Sequence, residues 1–180
     1  MSNIPRQEQN DMGSEEAVQY LTFTLDGEAF ATEITKVREV LEYTEVRKVP
    51  KTPLYMQGVI NLRGRVVPVV DLRMQFGMAA GEVTIDTCII ITEVNINGKI
   101  TVLGALADSV QEVVDLKSDQ MEPAPNLGAR VDNKFIHAMG KTSDDKFIIV
   151  LNMDKVFSAE QMHDVVTSSS VSGSSDTEAA

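Results

Sequence analysis

Residues 58–73 read GVINLRGRVVPVVDLR, in which two apolar segments flank a short polar one. Asn61 and Gly64 are residue types that tight turns prefer, so the polar segment predicts a turn between two strands. The side chains of Arg63 and Arg65 are expected to project from its tip. Two guanidinium groups on a rigid turn suit the recognition of carboxylates on a partner protein, although an ordinary hairpin with solubilising arginines fits the same residues.

Further strands are predicted on both sides of this hairpin, because apolar and polar residues alternate there. In residues 18–25 three apolar side chains share one face and two threonines the other, as a half-buried strand requires. An Asp-Gly pair at 26–27 and an Asn-Gly pair at 97–98 predict two more hairpin turns. Pro68 has no N–H to donate, so its strand is expected to lie at a sheet edge or to carry a bulge. The body of the chain is therefore mainly β.

Helical signals are few and short. A single turn is expected at 34–37, and residue types that begin helices precede the other short segments. These other segments are 54–57 after Thr52 and Pro53, 71–76, 152–157, and a C-terminal helix from Ser158 to about Val166.

An internal sequence repeat divides the body into two β units. The glycine of the first Asp-Gly turn recurs 71 residues later in the Asn-Gly turn, and VREV from Val37 recurs 73 residues later as VQEV from Val110. The matching segments lie about 72 residues apart, which predicts two units of about 70 to 80 residues each. Units this small are marginally stable alone, so they are expected to share an interface. We expect a disordered tail over residues 1–17, a body of two intertwined units over 18–165 and a flexible Ser-rich tail over 166–180.

Charge is distributed unevenly along the 180 residues, whose formal net charge is −11. Residues 1–17 and 158–180 hold −3 and −4 of it, whereas residues 36–73 carry eight basic and four acidic residues. The overall acidity argues against a nucleic-acid binder, which has to neutralise phosphates. The basic segment is either a solvated surface or a docking surface for a negatively charged protein partner.

Residues suited to catalysis or metal binding are scarce. Cys88 is the only cysteine, so neither an intrachain disulfide nor a cysteine-based metal cluster can form. His137 and His163 are the only histidines, no serine lies in a nucleophile elbow, and phosphate-binding motifs are absent. Neither a secretory signal nor an apolar run long enough to span a bilayer occurs. These residues indicate no active site, and we expect a cytoplasmic protein that uses no cofactor or metal.

Residues 61–73 closely resemble the hallmark of the CheW family, the chemotaxis coupling proteins. The similarity extends in order over about residues 18–165, through FTLDGEAF, ITKVREV, ADSVQEV and PAP. The resemblance implies two SH3-like five-stranded β-barrel subdomains with short helices, which agrees with the two units of the internal repeat.

The resemblance also implies an adaptor function, and it implies that the protein is not an enzyme. Members of this family link the cytoplasmic hairpin tips of chemoreceptors (methyl-accepting chemotaxis proteins) to the regulatory domain of the chemotaxis histidine kinase. That kinase domain is similar in fold, so the two proteins can alternate in rings. The adaptor is then expected in the cytoplasm, in receptor arrays at the inner membrane, which it reaches only through the receptors.

The resemblance places receptor-binding residues in a groove between the two subdomains. These residues are Val37, Glu39, Gly58, Arg63, Cys88, Val110 and Val113. Val37 and Val110 are equivalent members of the two units, and an apolar groove of this kind can hold a partner helix. Arg63 is expected to set the register of the partner, by pairing with acidic groups or by bracing the turn. A partner-facing turn comprises Asn61, Arg63, Gly64 and Arg65; kinase-facing residues are not assigned.

Three other interpretations stay open. The first is a coupling protein of another chemosensory pathway, such as one that controls pili or a second messenger. The second is a coupling protein with an appended receiver domain, which the short segment after the body disfavours. The third is a small β-barrel enzyme or ligand carrier, which the scarcity of histidine and cysteine disfavours.

Overall fold

The structure is a computed structural model that describes residues 16–124 and 132–158. Within these residues the chain forms strands, two short α-helices and three single 3-10 turns. The strands are β1 Val18–Leu25, β2 Glu28–Glu33, β3 Val37–Glu42, β4 Met56–Leu62, β5 Arg65–Asp71, β6 Cys88–Ile96, β7 Lys99–Ala107, β8 Ser109–Leu116, β9 Met121–Glu122, β10 Ile136–Lys141 and β11 Phe147–Leu151. The helices are α1 Leu72–Gln75 and α2 Met153–Val156, and the 3-10 turns are Ile34–Lys36, Ser118–Gln120 and Asn133–Phe135.

The strands form two sheets, and each sheet takes strands from both halves of the chain. The first sheet has the order β8-β1-β2-β11-β10-β9, and the second has the order β3-β6-β7-β5-β4. The β1–β2 hairpin thus joins strands from the second half, and the β6–β7 hairpin joins strands from the first. The chain passes from the first sheet to the second between β2 and β3, and returns between β7 and β8.

Equivalent strands of the two halves make equivalent pairings. β2 runs parallel to β11, as β7 runs parallel to β5. β1 pairs antiparallel with β8, as β6 pairs antiparallel with β3. The prediction of a mainly β fold with two β subdomains and short helices is confirmed, although the first sheet has six strands because the two-residue β9 joins it. The expected C-terminal helix from Ser158 and both expected tails lie almost entirely outside the described residues.

Three apolar clusters hold the sheets. The buried residues of one cluster all belong to the first sheet, and those of another all belong to the second sheet. The third and largest takes residues from both sheets and both helices, so it forms the interface between the subdomains; we call it the interface cluster. Its rings are in contact in series, with Phe30 6.0 Å from both Phe23 and Phe76, and Phe76 5.8 Å from Phe135, measured between centroids. Two small cores therefore depend on one shared core.

The first strand is buried on both faces, which the sequence pattern did not predict. Its apolar face enters the interface cluster, while Tyr20 on the other face enters the cluster of its own sheet. Thr22, on the same face as Tyr20, is 2% exposed. The Thr22 hydroxyl donates to the carbonyl of Glu112 at 2.8 Å, which satisfies its hydrogen-bonding need in the core.

The expected helices at 71–76 and 152–157 are confirmed, as is the turn at 34–37. Asp71 begins α1 because its carboxylate accepts from the N–H groups of Arg73 and Met74, at 2.9 and 3.4 Å. Asn152 begins α2 in the same way, with its side-chain oxygen accepting from the N–H of Lys155 at 3.2 Å. Local capping chemistry was therefore a sufficient signal at these two places.

The prediction of a helix at residues 54–57 is wrong. The Thr52 hydroxyl donates to the carbonyl of Val49 at 2.9 Å instead of capping a helix, and only one turn follows. Met56 then begins β4, where it lies opposite Val70 and is buried in the interface cluster. Burial and strand pairing thus outweigh the capping signal.

Of the two alternatives predicted for Pro68, the edge strand is wrong, since β5 lies between β7 and β4. The β4–β5 pair does carry a register shift, but it lies in β4, between Met56 and Gly58, and not at Pro68. Opposite Pro68, Val59 directs both its N–H and its carbonyl to Arg47, each at 2.9 Å. The pair is therefore a non-hydrogen-bonded one, and the nitrogen of Pro68 faces away from β4. The nitrogen of Pro68 faces β7 instead, and β7 begins to pair with β5 only at Val69. The missing N–H of Pro68 therefore costs no hydrogen bond between the strands.

Candidate functional site

The turn that is expected to face a partner connects β4 to β5 through two residues. Leu62 pairs with Arg65, and between them Arg63 and Gly64 have φ of 50° and 82°. Positive φ at both central positions is the geometry of a type I′ hairpin turn, whose twist suits the adjoining strands. Asn61 accepts the N–H of Gly64 on its side-chain oxygen at 2.8 Å, which closes the turn. The residues that predicted a rigid turn form one.

Two of the expected site residues form an ion pair. Arg63 donates from Nη1 and Nη2 to the two carboxylate oxygens of Glu39, at 2.7 and 3.0 Å. This hydrogen bond and the carboxylate charge raise the pKa of Arg63 above its ordinary value. The Arg63 side chain is nevertheless 76% exposed. The pair thus fixes the orientation of a guanidinium that remains accessible to a partner.

A β-bulge separates Glu39 from Val37, its neighbour in the expected groove. Val37 lies opposite Thr92 and Glu39 opposite Ile91, with a register shift between them. The two side chains therefore lie on opposite faces of β3, although residues two apart normally share a face. Val37 packs against the interface cluster, whereas Ile91 belongs to the cluster of the second sheet.

Cys88 and Val110 lie together at the other end of the expected groove. Cys88 begins β6 within the interface cluster, and its sulfur lies 4.0 Å from the carbonyl oxygen of Ala107. Burial raises the pKa of the Cys88 thiol to about 11, and the nearby Asp108 carboxylate adds to the rise. The thiol is therefore a neutral, weakly polar group at physiological pH, and Val110 packs against the same cluster.

Two other expected groove residues differ sharply in exposure. Val113 on β8 is 47% exposed, so its side chain is accessible to a partner. Gly58 is buried with φ of 147°, and a Cβ built there would lie 2.2 Å from the carbonyl oxygen of Arg47. This geometry gives Gly58 a structural role, because it admits the backbone of Arg47 beside β4.

Two surfaces of opposite charge lie at equivalent ends of the two sheets, each beside two hairpin tips. The basic face is built from β3 and the tips of the β4–β5 and β6–β7 hairpins; its main members are Arg38, Arg63, Arg65, Val66, Lys99 and Ile100. The acidic face is built from β8 and the tips of the β1–β2 and β10–β11 hairpins; its main members are Glu28, Glu112, Asp115, Asp144, Lys146 and Phe147.

Each of these faces also carries exposed apolar side chains. Val66 and Ile100 on the basic face are 73% and 59% exposed, and Phe147 on the acidic face is 55% exposed. The excess of bases in residues 36–73 indicated the basic face. The acidic face was missed because its carboxylates come from segments far apart in sequence and meet only in the folded chain.

The described part of the chain contains no group of three or more His, Cys, Asp and Glu residues that could hold a metal ion. His137 lies exposed on β10, and His163 lies outside the described residues. In residues 16–124 and 132–158, no helix has the length and apolar character needed to cross a membrane. Rigid hairpin tips, exposed apolar residues and charged faces define a β module whose surfaces suit protein binding.

The chain belongs to the family of CheW-like domains, which it matches over residues 19–161. It is 31% identical over 144 residues to the chemotaxis protein CheW of Klebsiella aerogenes, covering 80% of this chain and 84% of that protein. It is 30% identical over 141 residues to the chemotaxis protein CheW of Rhizobium meliloti, covering 78% and 88%.

A solved structure shows the same fold. The crystal structure of the scaffolding protein TtCheW from Thermoanaerobacter tengcongensis matches with a TM-score of 0.70 and 34% identity, over 78% of this chain and 92% of that one. Proteins of the family are scaffold and adaptor proteins of chemotaxis and not enzymes. The family expected from residues 61–73 and the absence of enzymatic activity are thereby confirmed.

Proposed function

We propose that this scaffold protein couples the cytoplasmic hairpin tips of chemoreceptors to the regulatory domain of the chemotaxis histidine kinase, so that receptor state controls kinase activity. The observation that carries the proposal is the Glu39–Arg63 pair, which holds an exposed guanidinium at the tip of a rigid turn. The site of action is then cytoplasmic, at receptor arrays that the protein reaches through the receptors.

The receptor is proposed to bind along the line of contact between the sheets. Val37 and Val110 follow the two crossings of the chain, and each packs against the interface cluster. A receptor helix laid against these residues would find apolar anchors on both sheets, with Val113 exposed beside them. Arg63 would then fix the register by pairing with an acidic group of the receptor.

The kinase is proposed to bind at the basic and acidic faces. A partner of similar fold, which the resemblance to the family implies for the kinase regulatory domain, would present equivalent hairpin tips. Because the two faces of this chain differ in charge, each would select a different end of such a partner. The exposed Val66 and Phe147 supply one apolar contact on each face. Modest single contacts gain strength from repetition in an array.

Charge reversal at Arg63 tests the proposal in a reconstituted assay with receptor, kinase and this protein. Arg63→Glu should weaken receptor binding by about tenfold or more, because the substitution places two carboxylates together and removes the guanidinium. Lys48→Glu is the matched control, since Lys48 is exposed and lies on neither face. Equal receptor binding and equal kinase stimulation by both variants would refute the assignment of Arg63.

A further inference from the structure

Two ion-pair clusters join the sheets at equivalent places in the two halves. Arg73 lies in α1, after β5, and its partner Asp108 lies where the chain crosses from β7 to β8. Asp154 lies in α2, after β11, and its partner Lys36 lies where the chain crosses from β2 to β3. The clusters thus join the corresponding helix and crossing in each half, although Lys36 and Asp108 differ by one position in the repeat, and the helix carries the cation in one and the anion in the other.

The Arg73 cluster consists of Arg73, Asp108 and Asp26. Nε of Arg73 donates to the two carboxylate oxygens of Asp108 at 2.8 and 3.0 Å, and Nη2 donates to Oδ2. Oδ2 of Asp108 also accepts the backbone N–H of Asp26, in the β1–β2 turn, at 2.8 Å. Nη1 of Arg73 lies 3.8 Å from Oδ1 of Asp26. A helix attached to the second sheet is therefore fastened to a hairpin of the first.

The Asp154 cluster consists of Lys36, Asp154 and Asn95. Nζ of Lys36 lies 3.2 Å from Oδ2 of Asp154, whose Oδ1 accepts the backbone N–H of Asn95 in β6 at 2.9 Å. Both charged side chains are 35% exposed, against 19% for Arg73 and 30% for Asp108. The Asp154 cluster is thus the more solvated. Lys36 makes a single contact with Asp154, whereas Arg73 binds Asp108 through two nitrogens, so the Asp154 cluster is the weaker of the two.

The Arg73 cluster adjoins the Cys88 end of the expected groove. Asp108 directly follows Ala107, whose carbonyl oxygen lies 4.0 Å from the sulfur of Cys88, and Val110 lies two residues further on. The backbone N–H of Asp108 donates to the carbonyl of Thr24 at 3.0 Å, which ties the crossing to the first sheet. Its side chain binds both the Asp26 N–H of the first sheet and Arg73 in α1 of the second, so loss of Arg73 removes the side-chain attachment of Asp108 to the second sheet.

We propose that Arg73 is a positioning residue that, through Asp108, fixes the Cys88 and Val110 end of the groove between the sheets. The proposal rests on the proposed function, because that end of the groove is where the receptor is placed. Without the guanidinium the Asp108 side chain would be bound to the first sheet alone, and the crossing would be held to the second sheet only through the end of β7. The segment from Ala107 to Val110 would then open more often.

Arg73→Gln tests this with Cys88 as the probe, since the chain has one cysteine. Alkylation of Cys88 by iodoacetamide in the folded, isolated protein should become about fivefold faster or more, because local opening exposes a buried thiol. Electrostatics alone predicts the opposite, because the unpaired Asp108 charge would hold the thiol protonated more strongly. Lys36→Gln is the matched control, because it removes the cation of the other cluster, at the other crossing, and it should leave the rate within about twofold of wild type.

An unchanged alkylation rate in folded Arg73→Gln would overturn the proposal. Should that variant fail to fold by circular dichroism, Arg73→Lys, which keeps the charge and loses the fork, carries the same comparison. Faster alkylation together with weaker binding of a receptor-tip fragment supports both the positioning role and the proposed groove. Faster alkylation with unchanged receptor binding supports the positioning role and overturns the assignment of Cys88 and Val110 to the receptor site.

A charge-swapped pair gives an independent check. Arg73→Asp combined with Asp108→Lys copies the polarity of the Asp154 cluster, with the anion on the helix and the cation at the crossing. Hydrogen exchange at residues 105–110 should be faster in Arg73→Asp alone and return towards the wild-type rate in the double variant. Failure of the second substitution to slow the exchange would show that the ion pair does not hold this segment.

Discussion

Replacing Gly58 by alanine should destabilise the protein strongly, through the backbone and not through a lost partner contact. At φ of 147° a residue with a Cβ is strained, which costs about 1–3 kcal/mol. The added Cβ would also lie 2.2 Å from the carbonyl oxygen of Arg47. To relieve this clash the Arg47 segment has to move, and its two backbone hydrogen bonds with Val59 are worth about 1 kcal/mol each. The expected loss in free energy of unfolding is about 3–5 kcal/mol.

Gly64→Ala is the matched control, because Gly64 also has a positive φ but nothing lies within 4 Å of its added Cβ. Its cost should be only that of a left-handed residue, about 1–2 kcal/mol. Urea unfolding of both variants, followed by circular dichroism, measures the difference. Equal losses of stability would refute the steric reasoning. A Gly58→Ala protein of normal stability that no longer binds receptor would instead make Gly58 a contact residue.

Three further predictions concern the thiol, the shared core and the basic face. Because burial raises the pKa of Cys88 to about 11 from an ordinary 9.0, the unfolded chain loses this proton first. Stability measured by urea unfolding should therefore fall as pH rises above about 9, and this part of the fall should be absent in Cys88→Ala. Phe76→Ala should cost about 3–5 kcal/mol, because its ring joins the interface cluster, whereas Phe147→Ala at an exposed site should cost about 0.5 kcal/mol or less in the same assay. Val66→Asp should weaken kinase binding in a pull-down assay and leave stability unchanged, whereas Ile85→Asp, 98% exposed and outside both faces, should change neither; equal kinase binding by the two would contradict the role of the basic face.

The turns and helix starts that depend on a few consecutive residues were predicted correctly from the sequence. The type I′ turn at Arg63 and Gly64 follows from a need for positive φ, and the helix starts at Asp71 and Asn152 follow from side-chain acceptors. Each of these signals involves a few consecutive residues, so no distant contact is needed to interpret it. The family resemblance of residues 61–73 rests on the same stretch.

Where distant contacts compete with local preference, the sequence pattern was misleading. The capping signal at Thr52 lost to the burial of Met56 in β4, and Pro68 lies in an inner strand because its partner there is a non-hydrogen-bonded one. The bulge in β3 places Val37 and Glu39 on opposite faces, although their spacing of two predicts one face. A shift of one residue in strand register is invisible to composition and periodicity.

The sequence by itself determined that the chain is a two-unit β protein of the CheW-like family, with a rigid arginine-bearing turn and a basic segment. Only the tertiary structure decided that the two halves exchange hairpins, so that each sheet is completed by the other half. It also decided that Glu39 meets Arg63, that Arg73 meets Asp108, and that carboxylates from distant segments form an acidic face. Turns and caps are fixed by neighbouring residues, whereas strand pairing and ion pairs depend on which distant segments bury the same apolar surface.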